Sequence, residues 1–225
     1  MTDPDPIVFI VDDDLSVRRS TERLVQAAGL KVQTFTSAKE FLKNARFEGP
    51  ACLVLDVRMP GLSGMDLQQE LIKAKIEIPV VFITGYGDIP TSVRAMKAGA
   101  VEFLTKPFRD QDILDAIERG LEQHRIIRQR NAEIAPIQRR YDSLTPRERE
   151  VLPLVGNGFR NAQIAAELGT SEKTIKVHRG HVMRKMRAES LAHLIHISKQ
   201  LGPSFRGREG GDTRSTPPPR GASKS

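Results

Sequence analysis

The hydrophobic pattern in the first half of the chain alternates between two periods. Short apolar runs with many β-branched residues indicate buried strands, and they occupy residues 7–11, 31–35, 52–55, 79–83 and 101–104. Between several of these runs, apolar residues recur every three or four positions, which is the spacing of one helix face. Gly29, Gly49 and Gly99 stand where helices are expected to stop. Five strands alternating with helices predict an open α/β fold with a mostly parallel sheet.

From Asp110 onward the helical spacing continues unusually far, to Tyr141. Pro136 is expected to bend or break this helix, because proline removes a backbone donor and clashes with the preceding turn. Residues 123–142 contain too few apolar positions for a core of their own, so we predict a helical linker between a domain at 1–122 and a second domain. Pairing with another copy as a short coiled coil and a solvated linker both remain open.

Residues 143–202 have the pattern of a compact helical domain. Thr145 is a predicted cap, Pro146 occupies the first helical position, and Glu148 is placed to reach back to the cap. A short helix, a turn at Gly169, a cap at Ser171 and a longer helix follow. Residues 203–225 are rich in Gly, Pro and Ser and are predicted to be disordered.

Length and composition narrow the class of protein. A chain of 225 residues is long enough for two domains. No apolar run approaches the roughly 20 residues that span a bilayer, and the N-terminus lacks the basic start of a signal peptide, which predicts a cytoplasmic protein without membrane contact. The single cysteine, Cys52, excludes a disulfide framework.

Charge is divided unevenly along the chain. Residues 1–120 hold 15 Lys and Arg against 18 Asp and Glu, a net charge of −3, whereas residues 121–225 hold 20 against 10, a net charge of +10. This division suggests a near-neutral module joined to one that meets a polyanion.

Chemically distinctive residues follow the predicted strands. Asp12, Asp13 and Asp14 follow the first strand, and Asp56, Thr84 and Lys106 follow the third, fourth and fifth. A parallel sheet brings these positions to one edge, where ligands commonly bind. Clustered carboxylates repel one another and tend to take up protons unless a cation binds between them. Mg²⁺ is usually bound by a few carboxylates together with waters and a phosphate. A lysine and a hydroxyl suit phosphoryl oxygens, so this edge is predicted to accept a phosphoryl group on a carboxylate.

The motifs "VDDD", "LVLDVRMPG", "VFITGYGDIP" and "EFLTKPF" together resemble the receiver domain of bacterial two-component response regulators. With "LTPREREVL" and "IAAELGTSEKTIKVHRGHVMRKM", the resemblance extends over roughly residues 6–201 and is to the NarL/FixJ family, in its FixJ-like branch of TodT/StyR type. It implies a flavodoxin-like, doubly wound, five-stranded receiver followed by a small all-α LuxR-type helix-turn-helix domain.

The resemblance also implies roles for individual residues. Asp56 would accept a phosphoryl group from a partner histidine kinase, and Mg²⁺ would be held by Asp12, Asp13, Asp56 and the backbone carbonyl of Arg58. Asp14 fits no ligand position and is predicted to cap the next helix. Lys106, Thr84 and Phe103 would form the phosphoryl-binding switch, with Thr84 contacting the phosphoryl group, Phe103 moving inward and a cis bond after Lys106. Arg58 and Tyr86 occupy positions that tune the lifetime of the acyl phosphate.

In the second domain, the resemblance places the supporting helix at 162–168 and the recognition helix at Glu172–Met186. Such a helix lies in the major groove of DNA. Lys176 and Val177 are the candidates for base contacts, and Thr174, His178 and Arg179 for phosphate contacts. Gly180 stands where the family often has a polar or basic residue. The implied partners are a sensor kinase, promoter DNA, a second copy after phosphorylation, and RNA polymerase.

Two alternatives from other functional classes remain open. One is a Mg²⁺-dependent phosphohydrolase with Asp56 as its nucleophile, which leaves the basic helical domain unexplained. The other is a constitutive DNA-binding protein whose receiver serves only for dimerisation. The prediction is a non-enzymatic, phosphorylation-switched transcriptional regulator.

Overall fold

The structure is a computed structural model that describes residues 4–87 and 89–201. Contacts divide the chain into two units, Met1–Asn131 and Ala132–Ser225, and each is described by itself. The division falls within a helix, so the domain boundaries at 122, 142 and 202 stay a prediction. The tail predicted at 203–225 lies outside the described residues.

The first unit is built on a parallel sheet whose strands are ordered β2-β1-β3-β4-β5, the order of a doubly wound fold. The strands are β1 (Ile7–Val11), β2 (Lys31–Phe35), β3 (Ala51–Asp56), β4 (Val80–Thr84) and β5 (Glu102–Thr105). Its helices are α1 (Leu15–Ala27), α2 (Ala38–Asn44), α3 (Gly64–Lys73), α4 (Ile89–Lys97) and α5 (Asp110–Asp142), the last of which continues into the second unit.

Alternate residues of the central strands supply two apolar layers. Phe9, Leu53 and Phe82 pack on one face of the sheet with residues of α2, α3 and α4. On the other face, neighbours in the same strands, such as Ile10 and Val54, pack with α1 and α5. Because β1, β3 and β4 are buried on both faces, their sequences are almost continuously apolar. Apolar packing on both faces therefore anchors the central strands.

All five predicted strands are confirmed to within one or two residues at each end. The apolar spacing did not reveal α2, because its seven residues are too short to display a period. The prediction that Gly49 stops a helix was wrong, since α2 ends at Asn44. A Cβ at Gly49 would lie 2.8 Å from the backbone oxygens of Pro4 and Asp5, so close backbone packing accounts for this glycine.

The second unit packs four helices around one core: α6 (Pro146–Gly156), α7 (Asn161–Glu167), α8 (Glu172–Met186) and α9 (Leu191–Gln200). The predicted caps are confirmed. Thr145 and Glu148 form a reciprocal capping box, and the Ser171 side chain accepts a hydrogen bond from the backbone N–H of Thr174. The core-facing residues of α7 and α8, with Leu168 between the two helices, are buried or partly buried: Ile164, Ala165, Leu168, Ile175, Val182 and Met186.

Pro136 does not break α5, which continues to Asp142, and the alternative expectation of a bend stays a prediction. Near its end, Ile137 and Tyr141 are partly buried against the core of the second unit. The sequence placed both residues in a linker, because too few apolar positions surround them to suggest a core. Within the described part of the chain, no helix is long and apolar enough to cross a membrane.

Candidate functional site

The parallel sheet brings the predicted reactive residues to one edge. Asp12 directly follows β1, Asp56 and Thr84 are the last residues of β3 and β4, and Lys106 directly follows β5. These four strands are neighbours in the sheet. Residues that lie up to 94 positions apart in sequence therefore meet in one cluster.

Lys106 bridges the two buried carboxylates. Its Nζ atom lies 2.7 Å from Asp12 Oδ2 and 2.7 Å from Asp56 Oδ1. The Asp12 and Asp56 side chains are only 1% and 6% exposed, whereas that of Lys106 is 19% exposed. The ammonium group thus neutralises two carboxylates that would otherwise repel each other in a desolvated site.

Burial and pairing act against each other on the ionisation of this cluster. Desolvation raises the pKa of Asp56, although the hydrogen bond and charge of Lys106 oppose that shift. Desolvation also disfavours the charged lysine, but its hydrogen bonds to Asp12 and Asp56 outweigh it and raise the pKa of Lys106. Lys106 therefore stays protonated and helps to hold the Asp56 carboxylate ionised, which is the nucleophilic form.

The remaining oxygens of both carboxylates accept backbone hydrogen bonds. Asp12 Oδ1 accepts from the N–H of Asp14, and Asp56 Oδ2 accepts from the N–H of Arg58, both at 2.8 Å. The predicted cap is also confirmed, because the Asp14 side chain accepts from the N–H groups at the start of α1. These bonds hold the Asp12 and Asp56 carboxylates in place before any ligand binds.

Sequence reasoning missed Arg18 as a residue of this site. Its side chain is 9% exposed, and Nη1 donates a 2.6 Å hydrogen bond to the backbone oxygen of Asp12. It ties α1 to the end of β1, where the buried Asp12 lies. No sequence signal distinguishes it from the adjacent Arg19, which is exposed.

The predicted magnesium ligands are only partly assembled. In residues 4–87 and 89–201, no three His, Cys, Asp or Glu side chains are grouped so that they could hold a metal ion. Asp13 is exposed, unlike the buried Asp12 and Asp56. The two buried carboxylates nevertheless supply the hard oxygen donors that Mg²⁺ prefers, and this ion usually retains several waters. The donor chemistry therefore fits Mg²⁺.

The residues of the predicted switch border the cluster. Thr84 is buried, and its Oγ1 atom lies 3.2 Å from both the backbone nitrogen and the backbone oxygen of Tyr86. Phe103 is partly buried, with its ring centroid 6.2 Å from that of Phe82. The Arg58 guanidinium lies 4.8 Å from the centre of the exposed Tyr86 ring. The predicted cis bond between Lys106 and Pro107 is present.

In the second unit, a buried charge cluster fixes α8 against α6. Glu148, only 2% exposed, accepts a 2.6 Å hydrogen bond from Lys185 Nζ, and His181 Nδ1 lies 3.4 Å from its other carboxylate oxygen. The sequence identified Glu148 as a cap but did not indicate that Lys185 pairs with it.

The predicted DNA-contacting residues fall into two groups by exposure. Thr174, Lys176 and Val177 are exposed. His178 and Arg179 are half-buried, and Arg179 Nη1 donates to Asn161 Oδ1 at 3.1 Å. His178 Nδ1 is buried without a hydrogen-bond partner, so only the other ring nitrogen is left as a candidate for a phosphate contact.

Comparison with known families matches both units. Residues 8–118 match the response regulator receiver domain, and residues 142–198 match the bacterial regulatory proteins of the luxR family. The first match includes Asp12, Asp56, Thr84 and Lys106, and the second includes all of α8.

Individual relatives match over most of their length. Nodulation protein W of Bradyrhizobium diazoefficiens is 53% identical over 196 residues, covering 87% of this chain and 86% of the relative. Transcriptional regulatory protein FixJ of Rhizobium meliloti is 43% identical over 203 residues, covering 89% and 99%. A low-resolution structure of the response regulator StyR superimposes with a TM-score of 0.65 at 50% identity, covering 87% of this chain and 99% of that one.

Proposed function

Because this chain belongs to the NarL/FixJ family of two-component response regulators, in its FixJ-like branch, we propose that Asp56 is its phosphoacceptor. The chain joins a receiver to a LuxR-type DNA-binding domain, and its relatives are transcriptional regulators. One observation carries the proposal: Lys106 bridges the buried Asp12 and Asp56. That arrangement is suited to a carboxylate that receives an anionic group beside a lysine.

In the proposed reaction, an Asp56 carboxylate oxygen attacks the phosphorus of a kinase phosphohistidine. An oxygen–phosphorus bond forms as the nitrogen–phosphorus bond breaks, and its electron pair returns to the imidazole. The Lys106 ammonium pairs with the transferred phosphoryl oxygens, because it is mobile enough to follow the new charge. The receiver accepts one group per activation instead of turning over phosphate esters.

Magnesium is the proposed cofactor for this transfer. Asp12, Asp13, Asp56 and the backbone carbonyl of Arg58 would hold the ion, which neutralises phosphoryl oxygens when it is bound. The exposed side chain of Asp13 is free to turn toward a hydrated ion at the strand ends.

We assign Thr84 and Phe103 to the switch that follows transfer. Thr84 exchanges its contact with the Tyr86 backbone for the phosphoryl group, and Phe103 moves further into the space behind it. Phosphorylation thereby shifts a two-state equilibrium at the surface formed by α4, β5 and α5. That surface then pairs with a second copy of the chain.

Promoter DNA is the proposed target of α8. Lys176 and Val177 contact base edges, and Thr174, His178 and Arg179 contact phosphates. A dimer presents two such helices to half-sites about one DNA turn apart. The regulator would act on RNA polymerase at those promoters, in the cytoplasm where DNA and the kinase domain are accessible.

The test compares wild type, Asp56→Asn and Asp14→Asn as full-length proteins. Asp14→Asn is the matched control, because asparagine also caps helices and Asp14 makes no bond to Lys106. Each protein is treated with acetyl phosphate, or with beryllofluoride, in Mg²⁺. Wild type and Asp14→Asn are expected to take up one phosphoryl group from acetyl phosphate. With either reagent they should double in mass and bind selected DNA more tightly, whereas Asp56→Asn does none of these.

The same experiment separates the alternatives. Continuous release of phosphate from esters, lost in Asp56→Asn, would identify a phosphohydrolase. Equal mass and equal DNA affinity in wild type with and without beryllofluoride would contradict the switch and favour a constitutive DNA-binding protein.

A further inference from the structure

A cavity of about 570 Å³ lies in the first unit, at the opposite edge of the sheet from the reactive carboxylates. It is lined by Val80, the first residue of β4, whereas Thr84 and Asp56 stand where β4 and β3 end. The other walls come from α3, from the segment between α3 and β4, from the end of α4 and from α5. Its size is that of a ligand cavity, which is commonly about 300–1,000 Å³. A molecule bound there would not compete with a phosphoryl group at Asp56.

The lining of this cavity is mostly apolar. Three of its walls contribute isoleucine side chains, Ile72 from α3, Ile76 from the following segment and Ile127 from α5. Ile72 and Ile76 are 51% and 40% exposed, so the apolar surface continues from the cavity to solvent. The charged residues of the lining, Lys75 and Glu77, have opposite signs. The cavity therefore suits a neutral molecule with an apolar body.

One buried polar group beside the cavity lacks a partner. Gln68 of α3 lines the cavity and is only 3% exposed. Its Nε2 atom donates to the backbone oxygen of Ala98 at 3.3 Å, which is longer than the usual range of about 2.7–3.2 Å. Its Oε1 atom is buried and accepts no hydrogen bond from the residues that the structure describes. A buried amide oxygen without a donor is unfavourable, so a hydroxyl or N–H group that entered the cavity would gain by pairing with it.

We propose that the cavity binds a small, neutral molecule with an aromatic or alicyclic body and one hydroxyl or N–H group. The body packs against Ile72, Ile76 and Ile127, and the donor group bonds to Gln68 Oε1. Because the bond from Gln68 to Ala98 is long, the amide can turn toward that donor without the loss of a strong hydrogen bond. This site does not depend on the proposed phosphoryl transfer or on the binding of DNA.

The experiment uses indole and 1-methylindole as probes, because the indole N–H is a hydrogen-bond donor that the methylated molecule lacks. Each probe is titrated into the full-length protein labelled at its isoleucine δ1 methyl groups, and methyl NMR spectra report both the affinity and the place of binding. Wild type is compared with Gln68→Leu, which removes the amide, and with Gln69→Leu. Gln69 is the matched control, because its side chain is exposed and does not line the cavity. Spectra without a probe show whether each variant keeps the wild-type fold.

Indole is expected to shift the methyl signals of Ile72, Ile76 and Ile127 in wild type and in Gln69→Leu. It should bind both proteins about tenfold more tightly than 1-methylindole does, because only indole satisfies the buried oxygen. In Gln68→Leu this preference should disappear through weaker binding of indole. The preference in wild type tests the proposal even if Gln68→Leu does not fold.

Three outcomes would overturn the inference. If neither probe shifts these methyl signals, the cavity is not a binding site for this class of molecule. Equal affinities of the two probes in wild type, or an unchanged preference in a folded Gln68→Leu protein, would exclude the Gln68 amide as the acceptor. Loss of the same signals when the protein is concentrated without a probe would show that a second copy covers the cavity instead.

Discussion

At the scale of single residues, the first unit depends on one lysine that serves two carboxylates. Asp12 and Asp56 come from adjacent strands and are almost fully buried. Without a cation their charges would repel each other, and one of them would tend to take up a proton. The proposed phosphoacceptor chemistry and the stability of the fold therefore involve the same ammonium group.

Replacement of Lys106 should show this dependence. Lys106→Met is expected to lower the free energy of unfolding by about 2 kcal/mol at neutral pH, because two buried carboxylates lose their cation. The loss should shrink in acid as Asp56, whose pKa is raised by burial, becomes protonated. Urea unfolding followed by circular dichroism measures the free energy of unfolding of each variant. Lys73→Met, which removes an exposed pair with Glu70, is the control and should leave the free energy of unfolding close to that of wild type, because water screens exposed ion pairs; equal losses in both variants would refute the argument.

A second prediction at the residue scale concerns the protonation of His124. Its Nδ1 atom accepts a 2.7 Å hydrogen bond from the backbone N–H of Ala51, and its ring packs against Phe47. Burial and the charge of Arg128 lower the pKa of His124 to about 4. The folded state thus prefers the neutral ring. The stability that the neutral ring contributes is fully present above the unfolded-state pKa near 6.5 and is lost as the pH falls from 6.5 to 4.

Wild type is therefore expected to lose up to about 3 kcal/mol of stability between pH 7 and pH 4 through this histidine. His124→Gln keeps a hydrogen-bond acceptor for Ala51 but cannot titrate, so its stability should fall less over the same range. Urea unfolding of both proteins at several pH values measures the difference. Parallel pH profiles would show that His124 does not contribute.

At the scale of secondary structure, α8 is attached to α6 by a polar cluster as well as by the shared core. Glu148 caps α6 and also pairs with Lys185 near the end of α8. Burial raises the pKa of Glu148, but the hydrogen bond from Lys185 and those at the cap outweigh it, so the pKa is lowered to about 2. The ionised form therefore stabilises the folded domain.

Glu148→Gln is expected to destabilise the second unit by about 2 kcal/mol at neutral pH. Because the folded-state pKa is depressed, the stabilisation is present above about pH 4.5 and is lost as the pH falls toward 2. The difference from wild type should shrink over that range in thermal unfolding. Glu150→Gln, whose partner Arg147 is on the surface, is the matched control. A Glu148→Gln protein as stable as this control would contradict the assignment.

Long elements were easier to anticipate than short ones. The buried strands were recognisable because burial on both faces demands continuous apolar residues. Helix α2 was missed because seven residues present less than two full helix repeats. Helix α5 continues past Pro136, where a bend or a break was expected, and Ile137 and Tyr141 nearby pack against a core.

At the scale of the whole molecule, the acidic and basic parts of the chain separate signal reception from DNA binding. The net charge of −3 lies on residues 1–120 and that of +10 on residues 121–225. Positive charge near DNA releases counterions, so affinity should fall steeply with salt. Dimerisation should double the number of phosphates neutralised.

Binding of the activated full-length protein to two half-sites is therefore expected to have about twice the salt dependence of binding to one half-site. Fluorescence anisotropy over a range of salt concentrations measures both slopes. Asp56→Asn, as a control, should show the shallower dependence on either duplex. Identical slopes for wild type on the two duplexes would indicate that only one α8 engages DNA.

The sequence by itself determined the strand pattern, the helix caps, the family and the residue types at the strand ends, because these depend on local periodicity and short motifs. Only the tertiary structure decided which groups pair: Lys106 with Asp12 and Asp56, Arg18 with the Asp12 backbone, and Lys185 with Glu148. Those pairs join distant segments, and their strength depends on burial, which no local pattern specifies.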